Sequence, residues 1–156
     1  MTAGPESAAV FRAGLPADEP AIRAILLDSN LSLPAIGSLE RVTHSQIGEI
    51  RTFVCEQNNH IAGVLQWRNL GEEAEVLDLA VHPRHRRRGL ASFLLSNFLR
   101  QLSPSAVQKI FLEVRESNAA AISLYEKFGF QISGGRPNYY RNPEESALLM
   151  TLSLEA

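Results

Sequence analysis

Residues 81–91 read Val81-His82-Pro83-Arg84-His85-Arg86-Arg87-Arg88-Gly89-Leu90-Ala91, a strongly basic turn with a single glycine. An apolar, strand-like run precedes it and helical apolar spacing follows, so the turn carries a strand into a helix. The first N–H groups of a helix have no partner within it, and the macrodipole places partial positive charge there. A glycine admits a ligand close to the main chain, and flanking arginines add fixed charge. Such a turn cradles a phosphate or diphosphate. Taken in isolation, the same run also reads as a solvated loop, a nucleic-acid patch or a plain tight turn. Its strand-to-helix setting favours the anion cradle. No GK[ST] follows and no G-x-G-x-x-G is present, so mononucleotide hydrolysis and nicotinamide chemistry lose support.

Three other side chains stand where chemistry is possible. Glu113 interrupts the apolar run Ile110-Phe111-Leu112-Glu113-Val114. Buried without a partner, it is suited to take up a proton near neutral pH; paired with Arg115, which shares its strand face, it is structural. Tyr125 follows twelve positions later, between Ile122 and Phe128 at helical spacing. It reads either as a core tyrosine or as a phenol that holds its proton at pH 7. Asp78 is a second carboxylate in an apolar run, read as structural or as a contact for an amine rather than as a base. His44, His60, His82 and His85 show no ligand spacing, so no metal is expected. Cys55 reads as an inert core thiol. No serine lies in a G-x-S-x-G elbow, which favours direct attack over an acyl-enzyme.

The elements that must position these groups follow from periodicity and turn chemistry. A short strand over 9–12 precedes a helix from about 15 to 30, opened by Pro16, Asp18 and Glu19. A second short helix is expected over 39–42. Strands over 52–55 and 61–67 flank Gln57-Asn58-Asn59-His60 as a hairpin. A strand over 74–81 leads into the basic turn. Ala91, Leu94, Leu95, Phe98 and Leu102 then mark an amphipathic helix that ends at Ser103-Pro104. Residues 107–114 read as an interior strand covered on both faces. Ser117 or Asn118 caps the next helix, and Gly129 sits at its C-terminal cap position. Strands over 130–133 and 147–154 close the chain. Hairpins followed by a strand–helix–strand crossover predict an α/β fold with a mixed sheet and helices on both faces.

The chain has 156 residues, 45% of them hydrophobic and 21% charged, which fits one domain over 1–156. A single cysteine excludes an internal disulfide and favours a reducing compartment. No apolar run is long enough to span a bilayer and no signal-peptide pattern opens the chain. A cytoplasmic protein is expected. Fifteen basic residues against seventeen acidic ones give a net charge of −2, which argues against a general nucleic-acid coat.

Arg86-Arg87-Arg88-Gly89-Leu90-Ala91 resembles the Q/R-x-x-G-x-G/A signature of the GCN5-related N-acetyltransferase (GNAT) superfamily, as does the strand Leu77-Asp78-Leu79-Ala80-Val81 before it. Residues 112–130 and the triplet Asn138-Tyr139-Tyr140 are similar to the ribosomal-protein-alanine N-acetyltransferase (RimI) branch of that superfamily. The likeness is close over about 74–152; over 1–73 it rests on the order of elements. It implies a sheet of about seven strands whose central parallel pair splays apart to admit acetyl-CoA. Leu79, Ala80 and Val81 would then face the pantetheine arm. Arg86, Arg87, Arg88, Gly89, Leu90, Ala91 and Ser92 would wrap the diphosphate, and Asn118 would meet the cofactor. Glu113 falls at the position of the general base and Tyr125 at that of the general acid. The implied reaction is acetyl transfer in a ternary complex to a protein N-terminal α-amine, the partner being a ribosomal protein. Residues 28–38 lack the aromatics usual in that branch, and 141–147 lack its Gly-Arg-Glu-Asp run. Both departures lie on the acceptor side, so a small amine or a lysine is the second enzymatic reading. A nucleic-acid-binding module is the third.

Overall fold

The computed structural model describes residues 8–28, 48–102, 105–140 and 144–154. In chain order its elements are β1 (Val10–Ala13), α1 (Glu19–Asp28), β2 (Ile50–Gln57), β3 (His60–Asn69), β4 (Glu73–Val81), α2 (Leu90–Leu102), β5 (Lys109–Arg115), α3 (Ala119–Lys127), β6 (Gln131–Tyr140) and β7 (Glu145–Ser153). The helix expected over 39–42 lies outside the described residues.

Asn58 and Asn59 both take left-handed φ, 53° and 62°. That is the signature of the two-residue turn that best matches strand twist, and it locks β2 to β3. Asn118 caps α3, its Oδ1 accepting from the Ala121 N–H at 3.2 Å, and Gly129 ends that helix with φ +97°. The seven strands order as β1-β2-β3-β4-β5-β7-β6, antiparallel except for the pair β4 and β5. Parallel neighbours need a crossover, and α2 supplies it.

Two apolar clusters fix the faces. On one, Leu90, Leu94, Leu95, Phe98 and Leu102 of α2 pack with Leu65, Trp67, Val76, Leu112 and Tyr125. On the other, Ile22, Ile25 and Leu26 of α1 pack with Val54, Val64 and Ala80. Helices therefore cover both faces, as the periodicity predicts. The β5 strand departs from expectation. Ile110, Leu112 and Val114 point into the α2 side, while Glu113 shares the opposite face with Phe111 and Arg115.

β6 is longer than the apolar run over 130–133 implies. Gly134, Gly135 and Pro137 argue against a strand, yet an edge strand tolerates them. Its ladder with β7 passes directly from Arg136↔Ala147 to Tyr140↔Glu145. Residues 137–139 therefore bulge out, with Asn138 at φ 53°.

A second irregularity lies in β4. Gln66 pairs with Asp78 and Trp67 with Val76, which leaves Leu77 as an extra residue. A strand alternates faces, so one inserted residue moves everything beyond it to the other side. Val76 accordingly packs under α2, whereas Asp78 and Ala80 turn toward α1.

Gly63 marks where β3 meets α2. A Cβ built there stands 2.9 Å from Leu94 Cδ1, 3.0 Å from Cys55 Sγ and 3.2 Å from the Ala80 carbonyl oxygen. Gly63→Ala is expected to destabilise the fold by about 1–3 kcal/mol through overpacking, read as a lower urea midpoint at unchanged m-value. A midpoint equal to that of the parent would show that the helix moves away at no cost.

Candidate active site

The parallel ladder between β4 and β5 runs from Glu73↔Lys109 to Val76↔Leu112 and stops. Both strands continue, β4 to Val81 and β5 to Arg115. Beyond Val76, β4 pairs only with β3, so its other edge faces a gap rather than a neighbouring strand. Main-chain groups of Leu79, Ala80 and Val81 lie along that gap. Extended backbone of this kind pairs with an amide-bearing chain as it would with another strand.

The basic turn closes one end of the gap. Pro83–His85 form a single helical turn. Arg87 and Gly89 then take φ 64° and 74°. Left-handed φ at a non-glycine residue costs energy, and such residues cluster at functional sites. Here the alternation of hand turns successive N–H groups to one side, the geometry of an anion nest. The Phe93 N–H donates to the Gly89 carbonyl at 3.0 Å and opens the α2 ladder. The N–H groups of Leu90, Ala91 and Ser92 precede that first bond and have no helical acceptor. A Cβ at Gly89 meets nothing within 4 Å, so the space before the turn is open. This combination of donors, cations and room fits a diphosphate.

The arginines divide. Arg86 turns back, its Nε donating to the Val81 carbonyl at 3.2 Å and its guanidinium pairing with Asp28 at 3.1 Å. Arg87 and Arg88 are exposed. His85 is held below the ordinary imidazole range by burial, then by Arg88, His82, His60 and Arg84, so it adds little positive charge at neutral pH. Asn118 spends its Oδ1 on the α3 cap and keeps its Nδ2 donors for other uses.

At the other end of the gap, the sequence expectation for Glu113 needs correction. It is neither unpartnered nor paired with Arg115. Glu113 Oε1 accepts from Arg136 Nε at 3.0 Å, and the Tyr139 hydroxyl donates to the same carboxylate, which raises that phenol above its ordinary range. The bulge over 137–139 brings Tyr139 there. Arg115 instead approaches Glu145 at 3.9 Å and lies 4.3 Å from the Tyr140 ring centroid. Sequence reasoning gave Arg136, Tyr139 and Tyr140 no role, because the Gly-Gly-Arg-Pro stretch reads as a loop. The only signal was the Asn-Tyr-Tyr triplet.

Tyr125 is 7% exposed and packs edge-on against Phe130. Burial first, then Asp78, then Tyr140, hold its hydroxyl above the ordinary phenol range. Tyr140 is pushed up to about 12 by burial, with Glu113 and Tyr139 next among the raising groups. Glu113 and Tyr125 are thus linked through Tyr140 rather than directly. Asp78 is the unexpected member. It is 8% exposed, and burial pushes its carboxyl up to about 7. Sequence reasoning ranked it below Glu113 because the Leu77 bulge that turns it was invisible. Among the described residues no three His, Cys, Asp or Glu side chains form a metal-binding group, and Cys55 is buried with its thiol pushed up to about 11.

Residues 21–130 match the acetyltransferase (GNAT) family. The chain belongs to that family. It is an acetyl-CoA-dependent N-acetyltransferase, and the parted strands and basic turn are its cofactor-side architecture. Among its relatives, the ribosomal protein bS18-alanine N-acetyltransferase of Salmonella typhimurium is 32% identical over 146 residues, 85% of this chain and 99% of that one. The crystal structure of the ribosomal-protein-S18-alanine N-acetyltransferase from Escherichia coli superposes with a TM-score of 0.78 at 29% identity, covering 96% of each chain. Arabidopsis thaliana NAA60 in complex with acetyl-CoA superposes at 0.81, covering 96% of this chain and 100% of that one; at 17% identity this is a likeness of fold.

Asp78 makes a testable contribution to stability. Its folded pKa lies above the ordinary carboxylate value, so the folded state binds the extra proton. Stability is therefore highest below about pH 4 with respect to this group and declines as pH rises toward 7. Asp78→Asn removes the penalty. Its Tm at pH 8 is expected to exceed that of the parent by about 4 °C or more, with a much smaller difference at pH 5. Equal Tm values at pH 8 would show that the carboxyl is solvated.

Proposed function

We propose that this enzyme, a single domain working in the cytoplasm, acetylates the N-terminal α-amine of a protein, a ribosomal protein being the favoured partner. The observation that carries the acceptor class is the match of 85% of this chain to an enzyme named for a ribosomal protein's alanine. The amine chemistry is consistent with it. An α-amine of reference pKa near ~8 is about one-tenth neutral at pH 7, whereas a lysine near ~10.4 is neutral in well under one molecule per thousand. A single carboxylate is enough base for the former.

In this reading acetyl-CoA supplies the thioester. The amides of Leu90, Ala91 and Ser92 hold its diphosphate, with Gly89 giving the approach and Arg87 and Arg88 the charge. Leu79, Ala80 and Val81 pair with its amide-bearing arm, and Asn118 meets it through Nδ2. Arg86 contributes by fixing the turn to Val81 and Asp28.

Glu113 receives the acceptor. Its carboxylate is 15% exposed and its Arg136 partner 61% exposed, so an incoming ammonium can displace the guanidinium from a site already suited to a cation. Glu113 then takes the proton as the amine attacks. Tyr125 gives its hydroxyl proton to the departing thiolate.

Incubation with a panel of N-terminal peptides, followed by mass spectrometry, tests the acceptor. Acetylation on the α-nitrogen of Ala-starting peptides is expected; modification confined to lysines or small amines would reject the α-amine reading. Glu113→Gln and Tyr125→Phe should each lower kcat by about 10²-fold or more, with acetyl-CoA Kd within a factor of about two. Unchanged kcat in either variant would remove that residue's role.

A further inference from the structure

We propose that Asp78 is a positioning residue for the acid step: protonated, it donates to Gln66 Oε1 and leaves the Tyr125 hydroxyl able to protonate the departing thiolate. The inference rests on the acetyl-transfer reading above and adds a residue to it.

The register supplies the geometry. Asp78 and Gln66 are directly paired across β4 and β3, beyond the Leu77 bulge and on the α1 face. Paired positions hold their Cβ atoms within about 5.5 Å. Gln66 is fully buried, and its Nε2 donates to Thr52 Oγ1 at 3.2 Å. Its Oε1 is buried with no partner among the described residues. A buried acceptor left unpaired is costly and rare. A carboxylate beside it offers only more acceptors, whereas a neutral carboxyl has an O–H to give. Gln66 therefore selects the protonated form of Asp78, in the same direction as its burial.

The same carboxyl acts on Tyr125. Ionised, Asp78 is the foremost charge opposing loss of the phenol proton; neutral, that opposition disappears. The groups around Asp78 leave it in control. From α3 comes Tyr125, from β6 Tyr140, and from β5, on the same sheet face, Glu113 already paired with Arg136. Glu75, on its own strand, lies 3.7 Å from Arg68. The α1 helix brings apolar Ile22, Ile25 and Leu26 to this face.

The proton balance closes. Glu113 takes one proton from the acceptor nitrogen as the N–C bond forms. The C–S bond breaks, the Tyr125 O–H breaks and an S–H forms. Glu113 returns its proton to solvent and Tyr125 regains one, so amine plus thioester gives amide plus thiol. Asp78 keeps its own proton throughout.

The test is the pH dependence of kcat at saturating acetyl-CoA and amine, followed by thiol release. The parent is expected to lose activity on the alkaline side as Asp78 ionises. Asp78→Asn, which keeps an N–H donor for Gln66 and cannot ionise, should lack that limb and exceed the parent at least fivefold at pH 8.5. Superimposable profiles, or a variant slowed more than tenfold at every pH with acetyl-CoA affinity intact, would overturn the proposal. Failure of the acetyl-transfer reading looks different: no thiol release from the parent at any pH. The sequence has only three aspartates, Asp18, Asp28 and Asp78. Carbon-13 NMR of the aspartate carboxyls in the parent therefore gives a check that needs no variant. One carboxyl should remain neutral at pH 6, and three ionised carboxyls there would reject the assignment.

Discussion

Everything at this site depends on two adjacent strands that cease to bond. The β4 and β5 strands are held together from Glu73 to Val76 on one and from Lys109 to Leu112 on the other, and both then run on unpaired with each other. Parallel strands in the middle of a sheet usually satisfy one another along their length, because buried peptide groups left unbonded are expensive. A gap there is maintained only if packing on both sides holds the strands in place. Here α2 anchors β4 from one face, β3 holds its other edge, and β7 holds β5 over seven paired residues.

The Leu77 bulge belongs to the same design. It lies at the first residue past the end of the parallel ladder, and it reverses the faces of the β4 segment that lines the gap. One extra residue thereby takes Asp78 out of the α2 core and sets it opposite Gln66. The bulge over 137–139 does the complementary work from the far edge, presenting Tyr139 to Glu113. Two irregularities in separate strands thus bring a buried carboxyl, an ion-paired carboxylate and three tyrosines to one opening. Cofactor and acceptor enter a region whose polar groups are arranged before either arrives, the condition under which electrostatic stabilisation costs no reorganisation.

Several elements were legible because their causes are short-range. The Asn58-Asn59 turn, the α2 face spaced by three and four, the Asn118 cap and the Gly129 terminus each follow from conformational preferences within a few residues. The strand-to-helix basic turn was legible for the same reason. β6 was cut short because Gly134, Gly135 and Pro137 are poor strand formers, and only its position at the sheet edge makes them acceptable.

Read alone, the sequence determined that an anion-binding turn enters a helix at Gly89 and that Glu113 and Tyr125 follow on the next strand and helix. Periodicity and backbone sterics suffice for that, since they act locally. Only the tertiary structure decided what those groups touch. Arg136 and not Arg115 took Glu113, Tyr140 rather than direct contact linked it to Tyr125, and a bulge made Asp78 a buried neighbour of Gln66. Such pairings depend on the register of strands far apart in the chain, where a slip of one residue exchanges one face for the other, and no local preference records which register packing will choose.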